Sequence, residues 1–347
     1  MSDQQTRHFL PPKFLARLRL QFPEDYGAIR KTFVKRPPVV RVNLHMISVV
    51  DFLRRFEKQG IELEPVQLLP YAFIARNRKR KELTEMPEYL AGLFYIQSIA
   101  SQLIVKALDP RPGETILDIC AAPGSKTSQI AMLMQKQGEL IANDQKTNRY
   151  VRMKGILQFQ QLDDFVTCQN YKGQNYPRFY PEYFDRILVD PSCSSEATFV
   201  DEKQNSIHFW SPHKVRGFVR NQKKLISTSL ACLKPGGVLV YSTCTLSPHE
   251  NEWLASKLLK KYPEMEVDPI EWEGVERLPI LSEWQGKSFD ESLRGAVRLR
   301  PTMEQQGFFM VRFRKLKTSA KMLHQIQIPS SSSLLRRAGL PAGRQAE

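Results

Sequence analysis

The stretch Thr115-Ile-Leu-Asp-Ile-Cys-Ala-Ala-Pro-Gly-Ser-Lys-Thr127 decides how the rest of this 347-residue chain is read. Thr115 to Cys120 is a run of apolar and β-favouring residues, the composition of a short buried strand. Ala121 to Gly124 are small, and Pro123-Gly124 is turn chemistry. Beyond them Ile130, Ala131, Leu133 and Met134 take up a helical rhythm. A strand, a tight turn and a helix N-terminus make a nucleotide-binding corner. The first helical N–H groups lack partners, and a glycine without Cβ lets a ligand approach the backbone. Asp118 falls at the carboxyl end of the strand, where open α/β sheets bind ligands. Gly124-Ser-Lys-Thr127 also looks like the close of a P-loop, the signature of an NTPase. That motif needs glycine directly before lysine and another glycine five places earlier. Ser125 intervenes here and Ile119 stands in the earlier place, so adenosine binding without a triphosphate fits better.

Apolar residues make up 41% of the chain, enough at this length for two domains with a sizeable core. Lysine and arginine number 51 against 36 acids, a formal charge of +15, which favours a polyanionic partner. No run approaches the length of a membrane span, and Met1 to Leu10 lacks the apolar core of a signal peptide. The cysteines at 120, 168, 193, 232 and 244 are odd in number and widely spaced, with no metal-ligand spacing. No metal is expected, and free thiols point to a reducing cytoplasm.

Pro12 to Phe22 is expected to be a helix with Phe14, Leu15, Leu18 and Phe22 on one face and Arg17 and Arg19 away from it. Val39 to Leu44 alternates like a strand, Ser48 caps a helix that Gly60 stops, and Ile61–Val66 and Tyr71–Ala75 are further strands. Arg76 to Lys81 holds five basic residues in six, a solvated loop or a phosphate-contacting one. From Gly92 the texture becomes α/β, with Phe94 to Leu108 expected as a helix and Glu139–Asp144, Phe165–Cys168, Phe184–Asp190 and Val238–Tyr241 as core strands. Tyr171 to Tyr183 reads as a polar loop, and a long helix from about Arg216 to Leu233 ends at Lys234-Pro-Gly-Gly237. Gly295–Arg300 and Gly307–Arg314 alternate as an antiparallel pair, and the segment from 318 loses its apolar rhythm and is expected to be a mobile basic tail. The expected fold is α/β, a doubly wound Rossmann-like sheet with a smaller N-terminal α+β domain. The expected divisions are 1–91, 92–317 and 318–347.

Asp118, Asp144, Asp190, Cys193 and Cys244 all fall at carboxyl ends of expected core strands, which in a doubly wound fold share one crevice. An acid after the second strand suits a ribose hydroxyl pair; Asp144 is otherwise a helix cap. Six segments then occur in a telling order. They are Gly92-Leu-Phe-Tyr-Ile-Gln97, Cys120 to Thr127, Ala142-Asn-Asp144, Phe184 to Asp190, Lys234-Pro-Gly-Gly237 and Tyr241-Ser-Thr-Cys-Thr-Leu-Ser-Pro-His-Glu-Asn-Glu252. From about Phe9 to Lys315 the chain resembles the RsmB/RsmF-like (Fmu/Sun) family of S-adenosylmethionine-dependent RNA cytosine-5 methyltransferases. The strand at Arg41-Val-Asn43 is similar to that of the RNA-binding domain preceding the family's methyltransferase sheet.

The resemblance implies Cys244 as the nucleophile that adds to carbon 6 of cytosine, since carbon 5 is a poor nucleophile until that bond forms. It implies that Asp190 holds the base and that Cys193 assists breakdown of the methylated adduct. Lys126, at the same mouth, would lower a thiol pKa or contact the ligand. S-adenosylmethionine would be held by Cys120, Ala121, Ala122, Pro123, Gly124, Ser125, Lys126, Asp144, Arg149, Asn170 and Asp190. The partner implied is structured RNA, ribosomal first and tRNA second, and the protein a cytoplasmic monomer with no membrane attachment. Two departures stand out. Asp190-Pro-Ser-Cys-Ser-Ser195 has its proline one place early, which restricts Asp190 to an extended backbone, and Ser195 and Ala197 stand where glycines are common. Asn170 stands near where an acid is usual; its side-chain oxygen can accept from an adenine amino group. The alternative is an RNA-binding assembly factor of the same fold that has lost turnover.

Overall fold

The computed structural model describes residues 9–201, 207 and 210–318, so the tail expected over 318–347 lies, Thr318 apart, outside the described residues. The smaller sheet holds β1 (Val39–Val42), β2 (Leu63–Val66), β3 (Leu69–Ala75) and β4 (Phe94–Ile96), all antiparallel, in the order β2-β3-β1-β4. The larger holds β5 (Thr115–Asp118), β6 (Glu139–Asn143), β7 (Val166–Gln169), β8 (Phe184–Val189), β9 (Leu233–Thr243), β10 (Met265–Val267) and β11 (Arg277–Leu278). A small hairpin of β12 (Glu283–Trp284) and β13 (Lys287–Ser288) stands apart, and β14 (Val297–Leu299) and β15 (Phe308–Lys315) complete the large sheet.

The large sheet runs β11-β14-β15-β9-β8-β5-β6-β7, with β10 also on β15. It is parallel from β7 to β9 and antiparallel beyond, as the alternating C-terminal strands require. The chain steps outward from β5 to one side and returns to the other with β8, so the topological switch point lies at β5. Side-chain alternation builds the two layers. Ile116, Leu188, Val240 and Met310 pack beneath α6 (Ile99–Leu108), α7 (Ser125–Leu133) and α8 (Thr147–Phe159). Leu117, Ile187, Leu239 and Val311 face α9 (Pro212–Cys232) and α10 (Glu252–Lys261). This is the doubly wound sheet read from the sequence. Among the described residues, no helix is long and apolar enough to cross a membrane.

The small sheet carries α3 (Val49–Lys58), capped by Ser48, whose Oγ accepts from Asp51 N, and ended by Gly60 at φ 64°. Phe52 and Phe56, one turn apart, set their rings on Phe94, with Phe56 and Phe94 centroids 5.4 Å apart. Phe94 thereby corrects one expectation: Phe94 to Leu108 is not a continuous helix. Phe94-Tyr-Ile96 is β-favouring, and it satisfies the open edge of β1 through Val40↔Ile96 and Val42↔Phe94. Ser98 then accepts from Ser101 N to start α6. The small sheet therefore continues past residue 91. A second difference is the Tyr171–Tyr183 loop, which contains a 3-10 turn over Gly173–Arg178 because buried Tyr176 donates to Gln169 Oε1 at 2.6 Å.

Arg41, in β1, is 1% exposed and joins the two sheets' domains. Its guanidinium donates to Gln97 Oε1 at 2.6 Å, and to Ser125 O, Ser128 Oγ and Gln160 Oε1 at 2.8 Å each. Burial pulls its pKa down to about 10, which still leaves it charged at neutral pH. Four neutral acceptors, with no carboxylate, disperse that charge. The first two helices lie elsewhere. Phe14 and Leu18 of α1 (Pro12–Gln21) and Ile29 of α2 (Tyr26–Lys31) pack on Ala197, Phe199 and Leu246 of the large domain. Arg17, expected to point away from that face, instead pairs with buried Glu196.

Candidate active site

Two groups of residues form at the carboxyl ends of the parallel strands. The first surrounds a cleft beside β5 and β6, lined by Ile119, Cys120, Asn143, Asp144, Arg149 and Ser192 among others. The turn after β5 is held on both sides. Ala121 N donates to Asn143 O at 2.8 Å, and Arg149 Nη2 donates to Ala122 O at 2.6 Å. After Pro123, Gly124 has φ 104°, and a Cβ there would meet Met153 O at 3.4 Å. The glycine serves the left-handed turn and the approach of α8. Ser125 opens α7, its carbonyl taken by Arg41.

Asp144 is 3% exposed, with Oδ1 accepting from Lys146 N at 3.0 Å and Oδ2 3.2 Å from Arg149 Nη1. It is thus both a cap for the turn into α8 and a charged wall of the cleft. Asn170 is tied to the same corner: Nδ2 donates to Asp144 O at 2.6 Å and Oδ1 accepts from Thr147 Oγ1 at 3.3 Å. Burial pushes the Cys120 thiol well above its ordinary value, so it stays protonated. Asn143 had no separate role in the sequence reading. Its side chain donates to Ile119 O and Tyr171 O and accepts from Tyr171 N, tying three strand ends together.

The second group holds the reactive side chains. Lys126 Nζ lies 2.6 Å from Asp190 Oδ2, and Ser242 Oγ donates to Asp190 Oδ1 at 2.9 Å. Burial works against the Lys126 ammonium, yet Asp190 holds its pKa above the ordinary value. Cys193 Sγ and Cys244 Sγ are 3.2 Å apart, and Ser195 Oγ is 3.5 Å from Cys244 Sγ. The hydrogen bond from Cys193 pulls the Cys244 thiol below its ordinary value, while Cys193, through the same contact and its burial, moves up. In this pair Cys244 is therefore the sulfur with more thiolate character. The early proline leaves Cys193 beside Cys244. Asp118 lies under both groups: burial pushes it up to about 7 against a 2.7 Å hydrogen bond from Thr127 Oγ1.

The sequence reading missed the layer behind the cysteines. Glu250 Oε2 accepts from Ser194 N at 3.1 Å and from Gln222 Nε2 at 2.8 Å, and Ser194 Oγ reaches both Glu250 Oε1 and Thr245 Oγ1. This layer fastens the Cys193 turn to the Cys244 turn. Its signal was present only as Glu250 within the motif after Cys244. In the basic segment, Arg76 is taken up by Glu64 and Glu304, whereas Lys79, Arg80 and Lys81 are exposed.

Comparison with known proteins gives two family matches. Residues 105–314 match the family described as 16S rRNA methyltransferase RsmB/F, and residues 10–99 match the N-terminal domain of 16S rRNA methyltransferase RsmF. Ribosomal RNA small subunit methyltransferase F of Serratia proteamaculans is 34% identical over 314 residues, 88% of this chain and 63% of that protein. Its counterpart in Vibrio atlanticus is 32% identical over 315 residues, 89% of this chain and 64% of that protein. The chain thus spans a little under two thirds of the length of these curated relatives. A solved methyltransferase homolog protein from Pyrococcus horikoshii superposes with a TM-score of 0.77 at 33% identity, covering 88% of this chain and 95% of that one.

Proposed function

The chain belongs to the 16S rRNA methyltransferase RsmB/F family, and from that premise we propose that it transfers a methyl group from S-adenosylmethionine to carbon 5 of a cytosine in structured RNA. The substrate class is small-subunit ribosomal RNA, in keeping with its relatives. The observation that carries the proposal is the pair of sulfurs 3.2 Å apart, one shifted toward thiolate, beside a lysine–aspartate pair.

The β5–β6 cleft fits S-adenosylmethionine. Ile119 and Leu225 give it apolar walls, and the Asp144 carboxylate and Asn143 amide give it polar ones. Cys120, Ala121, Ala122, Pro123, Gly124, Ser125, Lys126, Asp144, Arg149, Asn170 and Asp190 are the residues that would hold it. It supplies an activated methyl group when bound.

Cys244 attacks carbon 6 as a thiolate, forming an Sγ–carbon 6 bond and sending charge into the ring toward carbon 5. Asp190 accepts from the amino group on the pyrimidine edge and orients the base, while the Lys126 ammonium beside it balances the negative charge that develops in the ring. Once carbon 5 carries the methyl group, Cys193, having given up its own thiol proton to water, takes the remaining carbon 5 proton as a thiolate. The electron pair re-forms the ring double bond and expels Cys244 as thiolate. A base must leave its stack to reach these groups, which the exposed Lys79, Arg80 and Lys81 would assist by holding phosphates. The proposal carries with it a cytoplasmic monomer whose partner is RNA, organised as an N-terminal RNA-binding part and a methyltransferase part.

The test is transfer of labelled methyl groups to small-subunit RNA, with the product mapped by bisulfite sequencing. Wild type should mark a cytosine, and Cys244→Ala should retain less than about a hundredth of the rate. Calorimetric titration that finds no S-adenosylmethionine binding would instead favour an assembly factor of the same fold.

A further inference from the structure

Ser195 holds a backbone conformation that favours glycine, with φ 55° and ψ 28°, beside the two cysteines. Nothing in the turn calls for a Cβ at this position. The turn is closed by Thr198, whose N and Oγ1 donate to Ser195 O at 3.0 and 2.7 Å, and glycine would offer the same carbonyl. What serine adds is its hydroxyl. That oxygen is 3.5 Å from Cys244 Sγ and 3.9 Å from Cys193 Sγ, and it donates to Cys193 O at 3.3 Å. A residue kept in a disfavoured conformation, with its functional group against a reacting atom, is a sign of function.

We propose that Ser195 is the hydroxyl that stabilises the Cys244 thiolate, a third member of the reaction centre beside the two cysteines. The inference rests on the reading of Cys244 as nucleophile. While Cys244 is a thiol, its S–H donates to Ser195 Oγ and the Ser195 hydroxyl stays on Cys193 O. When the thiol proton leaves to water, the hydroxyl turns from that carbonyl to the charged sulfur. When sulfur bonds to carbon 6 its charge passes into the ring, and the hydroxyl returns to the carbonyl. The carbonyl acts as a resting place for the donor, so the Ser195 hydroxyl has an acceptor at every stage.

The other groups acting on Cys244 are Lys126 from α7, which favours the thiolate, Asp190, which opposes it, and Cys193. Glu250 acts on Cys193 from behind. None of these changes in a Ser195 variant, so the hydroxyl is separable.

Ser195→Gly removes the hydroxyl and relieves the backbone; Ser195→Ala removes the hydroxyl and keeps the backbone cost. The full chain is alkylated with iodoacetamide over about pH 6 to 10, and the rate at the Cys244 peptide is read by mass spectrometry, with Cys168 as internal reference. Both variants should alkylate Cys244 about threefold to tenfold more slowly at pH 7, with the midpoint raised by about half to one pH unit. Cys168 should be unchanged, and only Ser195→Gly should gain thermal stability. A Ser195→Gly protein with the wild-type Cys244 profile overturns the inference, as does a shift confined to the glycine variant, which would trace the effect to the backbone. Thiol reactivity is measured without RNA or methyl transfer, so an active Cys244→Ala enzyme would sink the nucleophile reading while leaving this result interpretable.

Discussion

Arg17 and Glu196 form an ion pair across 179 positions of sequence, with the Glu196 side chain fully buried. Trp210 Nε1 donates to the other carboxylate oxygen at 2.7 Å. Glu196 directly follows Ser195, and Ala197 N donates to Cys244 O at 3.1 Å. One turn along α1, Gln21 Nε2 donates to Leu246 O at 2.9 Å, beyond the second cysteine. A single N-terminal helix therefore braces both cysteine turns, and against the effect of burial the Arg17 charge, helped by hydrogen bonds from Trp210 and Thr245, holds the Glu196 carboxyl below its ordinary value.

Arg17→Ala should destabilise the protein by about 3–5 kcal/mol, because it strands a buried carboxylate rather than merely losing an attraction. Adding Glu196→Gln should recover part of that loss. Chemical denaturation of the three variants measures it, and a loss below about 1 kcal/mol for Arg17→Ala would mean that water already solvates Glu196.

Asp144→Ala should weaken S-adenosylmethionine binding by about 1–3 kcal/mol, the worth of a charged hydrogen bond. Calorimetric titration reads it. Because Asp144 also accepts from Lys146 N, Asp144→Asn is the control that retains an acceptor for the turn. Equal dissociation constants for wild type and both variants would leave Asp144 as a cap and nothing more.

Glu250 supplies a pH signature. Burial, with the charge of Glu196, raises its carboxyl from the ordinary 4.5 to about 7. A folded value above the unfolded one means the protonated form is favoured in the fold. The associated stability is complete below about pH 4.5 and is lost as pH rises through about 7. Glu250→Gln cannot ionise, so wild type should lose on the order of 1–3 kcal/mol relative to this variant over that window. Unfolding free energies at about pH 5 and pH 7.5 check this; a constant difference between the two proteins would show that Glu250 does not titrate on unfolding. Asp118 behaves alike, but it contributes to both proteins and cancels.

How much of this was legible depends on the range of each interaction. The consecutive apolar residues Ile116 and Leu117 mark a strand covered on both faces, and strand ends mark a crevice, so the parallel part of the large sheet and the neighbourhood of Asp144, Asp190, Cys193 and Cys244 could be read along the chain. Phe94 to Ile96 could not. Its apolar run suits helix or strand, and the pairing with Val40 to Val42 that settles it lies about fifty residues away. Arg17 and Arg41 look like surface charges until partners 179 and 84 positions off are known. Ser195 was noticed as a serine in a glycine position, but only the 3.5 Å approach to Cys244 gives the hydroxyl a purpose.

The central claim is that Cys244 bonds to carbon 6 of cytosine and that Cys193, 3.2 Å away, releases it. Cys193→Ala should allow attack and methyl transfer but leave the carbon 5 proton in place, so enzyme should accumulate joined to RNA. The measurement is a denaturing gel of Cys193→Ala with S-adenosylmethionine and small-subunit RNA, followed by mass spectrometry of the RNA-linked peptide. The account predicts a denaturant-resistant species carrying the RNA on Cys244, absent from Cys193→Ala/Cys244→Ala. A Cys193→Ala enzyme that turns over at the wild-type rate and traps no RNA would contradict it.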